Sequence, residues 1–193
     1  YLPDKSRVVQ YLSVQDIWQI NQAWTLTTGV RYDHYSDFGQ TVNPRLALVW
    51  QSTDKLITKL LYGQAFRAPA FSELYVQNNP ITIGNPALAP EKINTLELSL
   101  DYSFHKDLVM DFNLYHYQAK DMIEYRGNSD GASQAQNYRS LSGRGFEFET
   151  KWRVTHDVSF NANYSLQSTK NDATNQQIEF VPRQSLYLDL RWQ

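Results

Sequence analysis

Four histidines, no cysteine and scattered serines and threonines are what this chain offers for covalent or metal chemistry. His34, His105, His116 and His156 are widely separated and show no metal-ligand spacing, and neither a Gly-rich phosphate loop nor a nucleophile elbow occurs. A hydrolase needs a nucleophile and a base within hydrogen-bond reach, and nothing in the sequence suggests such a pair. An enzyme, a metal centre and a resident cofactor are therefore not expected. The chemistry that the residue types support is recognition, in which aromatic and polar side chains gather around a few charged groups. Tyr35, Phe38, Arg67, Phe71, Tyr75, Gln77, Asn78, Tyr125, Arg126 and Tyr138 lie in or beside the gaps between patterned segments, and these are the candidate ligand contacts. Arg67 and Arg126 would attract an anionic chelate. The plainer alternative is that most of the ten are ordinary loop residues.

The segments that must position them alternate apolar and polar residues. Trp24, Leu26, Thr28, Val30 and Tyr32 form one row, and Thr25, Thr27, Gly29, Arg31 and Asp33 the other. This period of two belongs to a half-buried strand. The same split sets Leu46, Leu48 and Trp50 against Arg45, Ala47 and Gln51, and Leu96, Leu98 and Leu100 against Glu97, Ser99 and Asp101. It continues through Met110, Phe112 and Leu114, through Phe146 and Phe148 against Glu147, Glu149 and Lys151, through Val158 to Leu166, and through Leu186 to Trp192. Charge stays almost entirely off the oily rows. A Lys or Arg facing lipid at mid-bilayer costs roughly 2–4 kcal/mol, so a membrane would enforce that exclusion.

The links between segments supply a separate test. Gln19 to Ala23, Ser52 to Lys55, His105 to Asp107 and Arg153 to His156 read as short, whereas Ser36 to Asn43, Arg67 to Pro90, Arg126 to Gln136 and Thr169 to Val181 read as long. Short and long links therefore alternate, as in a barrel whose tight turns lie on one side of a membrane and whose long loops lie on the other. Trp18, Trp24, Trp50, Trp152 and Trp192 all lie beside short links or at the end of the chain. Tryptophan prefers the headgroup level, so the five form a one-sided aromatic girdle.

Composition fits that reading. The 193 residues are 41% hydrophobic with a mean hydropathy of -0.56, and no apolar run approaches the length of a membrane helix. In a barrel the lumen residues dilute the lipid-facing ones. The formal net charge of -2 offers no basic footprint for nucleic acid. Zero cysteines exclude disulfides and thiolate metal sites and fit a bacterial envelope. The N-terminal residues show no signal peptide. The expected fold is all-β: an antiparallel up-and-down meander of about nine strands across residues 1–193, a contiguous piece of a larger transmembrane β-barrel.

One stretch goes beyond architecture. YGQAFRAPAFSELY (Tyr62 to Tyr75) is followed by GNPALAPEKINTLELSLDY (Gly84 to Tyr102). These elements resemble the TonB-dependent outer-membrane receptors, which carry an FRAP-like strand end, an ELY, and an NPxLxPE before the next strand. LTTGVRYDHYSDFG (Leu26 to Gly39), NPRLAL (Asn43 to Leu48) and GFEFETKW (Gly145 to Trp152) are similar to further family elements. The paired FRAP and NPALAPE motifs are fairly specific, and each of the others is weak alone.

The resemblance implies a 22-stranded barrel filled by an N-terminal plug domain. It also implies uptake of a scarce nutrient such as a ferric siderophore, haem or cobalamin, energised through a TonB complex that contacts a short N-terminal box. It implies the outer membrane of a Gram-negative bacterium, with outer-membrane lipid around the wall, long loops extracellular and short turns periplasmic. Plug domain, TonB box and the usual aromatic C-terminus are not found in these residues. Arg67, Pro69 and Glu73, with Asn85, Pro86, Pro90 and Glu91, read first as devices that shape a loop and restart a strand, and second as ligand contacts. Arg31, Asp33, Arg45, Lys59, Glu97, Asp101, Glu147, Glu149 and Lys151 face the lumen in this reading, where they bind the plug or keep the interior wet. Two other readings stay open: a general porin-like or structural barrel without TonB coupling, and a small soluble β-barrel that binds an apolar ligand inside.

Overall fold

The computed structural model describes residues 1–127, 131–179 and 181–193. Residues 128–130 and 180, which fall in two of the expected long links, lie outside the described residues. The chain folds into β1 (Val9–Gln19), β2 (Trp24–Tyr35), β3 (Gly39–Thr53), β4 (Leu56–Arg67), α1 (Phe71–Tyr75), β5 (Thr82–Ile83), β6 (Glu91–His105), β7 (Leu108–Gly127), β8 (Ser133–Arg153), β9 (Val158–Asn171) and β10 (Gln184–Trp192). Nine long strands make one antiparallel meander in the order β1-β2-β3-β4-β6-β7-β8-β9-β10, and the two-residue β5 pairs in parallel with β8. The sheet is open, with β1 and β10 as its edges.

The register fixes the faces, because residues directly opposite on neighbouring strands project to the same side. Trp18, Leu26, Leu48, Leu60, Leu98, Leu114, Phe146 and Leu166 are successive partners across eight strands. A parallel row runs Trp24, Trp50, Thr58, Leu100, Phe112, Phe148, Tyr164 and Leu186. On the other face Lys59, Ser99, Asn113, Glu147, Ser165 and Ser185 are successive partners. One face is thus continuously oily and the other continuously wet.

Curvature decides which is outside. Leu96, Leu98 and Leu114 are 48%, 37% and 51% exposed, while Glu97, Ser99 and Tyr115 between them are only half-exposed. Side chains spread on the convex face of a curved sheet and crowd on its concave face. The apolar face is therefore the convex one, the opposite of a soluble barrel with Leu96, Leu98 and Leu100 inside. On the concave face Tyr115 and Tyr117 of β7 lie across Gly145 and Gly143 of β8 and reach Gln167 and Thr169 of β9, at 3.4 and 2.8 Å. A Cβ on Gly143 would sit 2.2 Å from the Tyr117 ring, so the glycine in GFEFE and the one before it are seats for tyrosines.

The four short links are tight turns, three of them closed by the same device, a side-chain oxygen accepting two following N–H groups. Asn21 Oδ1 takes Ala23 and Trp24, Thr53 Oγ1 takes Lys55 and Leu56, and Thr155 Oγ1 takes Asp157 and Val158. His105 Nδ1 accepts from Asp107 in the remaining turn. All five tryptophans lie at this end. Trp24 and Trp50 stack at 4.9 Å, and Trp192 pairs with Val158 beside a short turn.

Two links expected to be long are corrected. Ser36 to Asn43 contracts to a three-residue turn, because β3 starts at Gly39, whose φ of 102° suits glycine. Arg126 to Gln136 is mostly strand, since β7 runs to Gly127 and β8 starts at Ser133. β7 has 20 residues, which at about 3.3 Å each and a tilt near 45° climb roughly 45 Å, beyond a hydrocarbon core of about 30 Å. A hairpin of that height would stand clear of such a core. With both faces then wet, the period of two that marks the lower strand would disappear. Pro44 marks a smaller irregularity in β3. It has no N–H, the ladder to β4 ends one residue away at Arg45 and Gly63, and Gln64 Nε2 donates across the gap to the Val42 carbonyl at 2.8 Å.

Candidate functional site

The FRAP and NPALAPE motifs meet at the end of the sheet opposite the tryptophans. Arg67 closes β4 and Glu91 opens β6 directly opposite it. The Arg67 guanidinium donates to Glu91 from Nε at 2.7 Å and from Nη2 at 2.6 Å, and to Glu73 of α1 from Nη1 at 3.0 Å and Nη2 at 3.1 Å. Two bidentate carboxylates on one guanidinium form a stiff clamp. Glu73 also accepts the Ala70 N–H at 2.7 Å, which holds the first turn of α1, and Glu91 accepts the Ile123 N–H at 2.8 Å. Burial pushes the Glu91 carboxyl up, but Arg67 and the Ile123 N–H outweigh it and hold the group below the usual carboxylate range. Glu91 first, then Glu73, push the Arg67 guanidinium up in turn.

Beneath the clamp lies a small hydrophobic core. Leu74 from FSELY is 1% exposed, and Leu88 from NPALAPE and Ala135 of β8 are buried with it, with Tyr75 and Ile123 packed alongside. Asparagines stitch the loop to the wall: Asn85 Nδ2 donates to the Ala135 carbonyl at 3.1 Å, and Asn137 exchanges bonds with Ala89 at 2.8 and 2.9 Å. Gly84 packs against the end of α1, where a Cβ would lie 2.6 Å from the Tyr75 nitrogen. The geometry makes the two motifs a loop-holding unit, and Arg67 is engaged on both sides by carboxylates.

Three of the candidate contacts gather beside this unit, around a residue that sequence reasoning missed. Arg7, in the extended segment before β1, lies over the rings of Phe71, Phe38 and Tyr35 at 4.8, 5.1 and 5.7 Å. It also donates to Asp37 and to the Pro69 carbonyl, both at 2.8 Å. Tyr35 stacks on Phe38 at 4.4 Å, and Lys5 stands 5.0 Å above the Tyr75 ring. Gln77 and Asn78 follow α1, and Gln77 donates its N–H to the Tyr1 carbonyl at 3.0 Å. Tyr125 pairs with Ala135 on the same side as the core. Arg126 and Tyr138 are elsewhere. The Arg126 guanidinium lies 3.8 Å from the Tyr138 ring, and alternation from Ile123 and Asn137 places both on the face away from α1. Arg67 and Arg126 are therefore not brought together. Arg7 left no signal in the sequence, because it precedes the first alternating segment.

The lumen candidates occupy the concave face. Asp33 is fully buried and accepts Arg31 at 2.7 Å, and Arg31 in turn covers the Tyr11 ring at 4.2 Å. Arg45 lies over Gly29 and reaches Gln15. Lys59 pairs with Asp101, and Lys151 with Glu149 at 2.9 Å. Glu97 and Glu147 stand on the same face. Asp101, Asp111 and Glu149 are successive cross-strand partners, so three carboxylates face one another across three strands. Like charges directly opposite are unfavourable in a sheet. Asp111 was missing from the candidates although its odd position in the alternation put it on the wet row.

Comparison with known proteins places this architecture. A family model described as TonB dependent receptor-like, beta-barrel, matches residues 1–193. The vitamin B12 transporter BtuB of Vibrio cholerae serotype O1 is 29% identical over 163 residues, covering 81% of this chain and 24% of the transporter. The iron-regulated outer membrane virulence protein of the same species is 32% identical over 115 residues, 57% of this chain and 18% of that protein. Among solved structures, a mutant ferric enterobactin receptor (PfeA) of Pseudomonas aeruginosa superposes with a TM-score of 0.84 at 22% identity, covering 96% of this chain and 30% of the receptor. The chain spans about a quarter of the length of the curated relatives it matches.

Proposed function

This chain belongs to the TonB-dependent receptors, and from that premise we propose that it forms part of the wall and mouth of an outer-membrane barrel importing a scarce nutrient. A ferric siderophore, haem or cobalamin is the class of cargo, delivered by energy from a TonB complex that acts outside these residues. The clamp end is extracellular and the tryptophan end periplasmic. The observation that carries the reading is the two-faced sheet, with unbroken apolar rows on its convex side and, at the level of those rows, charge only on its concave side. Hydrocarbon explains the first and a filled, polar bore the second.

In the intact protein the lumen charges dock a plug. Lys59 and Lys151 already pair with Asp101 and Glu149, so Asp111, which lies between those two carboxylates, is the group that takes a cationic plug side chain. At the mouth, Tyr35, Phe38, Phe71 and Tyr75 form an aromatic rim, with Gln77, Asn78 and Tyr125 beside it, that meets an arriving chelate or ring system. Arg67 acts through the loop it holds.

The test is uptake by the intact receptor in cells with and without TonB, using a ferric siderophore, haem and cobalamin as separate probes. Saturable accumulation of one probe, lost without TonB, is expected. Accumulation independent of TonB would point to the porin-like alternative.

A further inference from the structure

Residues 1–8 precede β1 and belong to no strand, and all but Pro3 and Arg7 are exposed. This segment crosses the mouth and ties two separate links together. At one end Val8 exchanges bonds with Ser36 of the β2–β3 turn: its N–H donates to Ser36 Oγ and its carbonyl accepts the Ser36 N–H, both at 3.0 Å. At the other end Tyr1 and Gln77 exchange two bonds at 3.0 Å, and Lys5 stands over the Tyr75 ring. Arg7 lies between them, with its side chain only 17% exposed.

The Arg7 guanidinium fills a cage. Phe71, Phe38 and Tyr35 surround it, and Tyr35 makes an edge contact with Phe66 of β4 at 5.8 Å. Its donors go to Asp37 in the β2–β3 turn and to the carbonyl of Pro69 in the FRAP motif, so one side chain spans both links. Asp37 depends on that contact. Its side chain is 5% exposed, and its Oδ1 is buried with no hydrogen-bond partner among the described residues. A buried carboxylate stripped of its cation is strongly unfavourable, and rings that share a cation lose what fixes their mutual arrangement when it leaves. Asp37 matches the charge of Arg7, so an anionic cargo gains little from it.

We propose that Arg7 is the positioning residue of the aromatic rim. Given the rim described under Proposed function, on which this assignment rests, Arg7 sets Phe71, Phe38 and Tyr35 as one preformed face without itself touching cargo. It also joins the segment before β1, the β2–β3 turn and the 68–90 loop into a single body.

The experiment is equilibrium binding of a ferric catecholate siderophore, haem and cobalamin, each alone, to the intact receptor, read beside amide exchange of residues 36–38 and 68–78. Arg7→Ala should weaken the probe that binds by about tenfold and lower protection in both segments together. Arg7→Lys, which keeps a cation for the rings but not the planar fork, should recover part of the affinity. Dilute guanidinium chloride, refilling the cage of Arg7→Ala, should restore most of it, whereas sodium chloride at the same concentration should not. If Arg7→Ala fails to fold, judged by its heat-modifiable mobility on a gel, Arg7→Ala with Asp37→Asn decides in its place: it buries no unpaired charge but leaves the rings unanchored, and a loss of about threefold is expected. Unchanged affinity, a loss of affinity with protection intact, or a loss that neither lysine nor guanidinium reduces would overturn the proposal. If none of the three probes binds the unmodified receptor, the reading under Proposed function falls instead. The joint loss of protection in Arg7→Ala, and its return in guanidinium, then decides for or against Arg7.

Discussion

The wall and the mouth of this molecule are stabilised by opposite means. In the wall Leu98, Leu114 and Leu166 remain exposed, and the strands are held by their ladders and by side-chain pairs between neighbouring strands. At the mouth Leu74, Leu88 and Ala135 are buried as in a small soluble protein, roofed by the Arg67, Glu73 and Glu91 clamp. A leucine in the wall is chosen for the solvent around it, whereas a leucine at the mouth is chosen for the neighbours that surround it.

Matched leucine changes break that comparison most sharply. Leu74→Ala should destabilise the loop by about 2–5 kcal/mol, the range for emptying a packed site, while Leu114→Ala in the wall should cost under about 1 kcal/mol in a bilayer. Amide exchange on the intact receptor checks both, with loss of protection confined to residues 68–90 in the first variant. Charge reverses the order of sensitivity. Leu98→Arg should disfavour folding into vesicles by about 2–4 kcal/mol, whereas Glu97→Arg, one residue away on the wet face, should cost far less. Equal losses would deny that the two faces meet different solvents.

Gly84→Ala sharpens the mouth side of the contrast. Its Cβ would meet the backbone of Leu74 and Tyr75 at 2.6–2.7 Å, so α1 must shift, and a cost of about 1–3 kcal/mol is expected. Gly63, in the wall, has open space where a Cβ would go, and the same change there should be nearly silent on packing grounds. Protease sensitivity of the loop separates the two.

How much of this was legible follows the same division. The wall is readable because lipid on one side and water on the other impose a period of two, so the alternation itself assigns Leu96, Leu98 and Leu100 to one face. The upper β7–β8 hairpin is not, because its sequence loses the alternation and reads as loop although it is paired strand. The motif residues Arg67, Glu73 and Glu91 were recognisable as a set, but that one guanidinium joins both carboxylates depends on β4, α1 and β6 meeting in space. Arg7 was invisible, since a cation above three rings is a property of the folded mouth and not of its own neighbours in sequence.

Acid gives the smallest expected effect. Glu91 is held below its ordinary range by Arg67 and the Ile123 N–H, so its contribution to loop stability is full above about pH 4.3 and fades as pH falls through the depressed folded value. Loop protection should be flat from pH 8 to pH 5 and decline only in stronger acid, with the step reduced in Glu91→Gln. The apolar rows of the wall carry no carboxylate and should show no such step.

The central claim is that the even-numbered apolar rows of this sheet meet hydrocarbon and the odd-numbered rows meet a polar bore. Nitroxide labels placed singly from position 96 to position 100 on the intact receptor in bilayers test it directly, through collision with oxygen, which partitions into lipid, and with a water-soluble nickel chelate. Oxygen accessibility should peak at positions 96, 98 and 100 and fall at 97 and 99. A flat profile, or peaks at 97 and 99, would contradict the account.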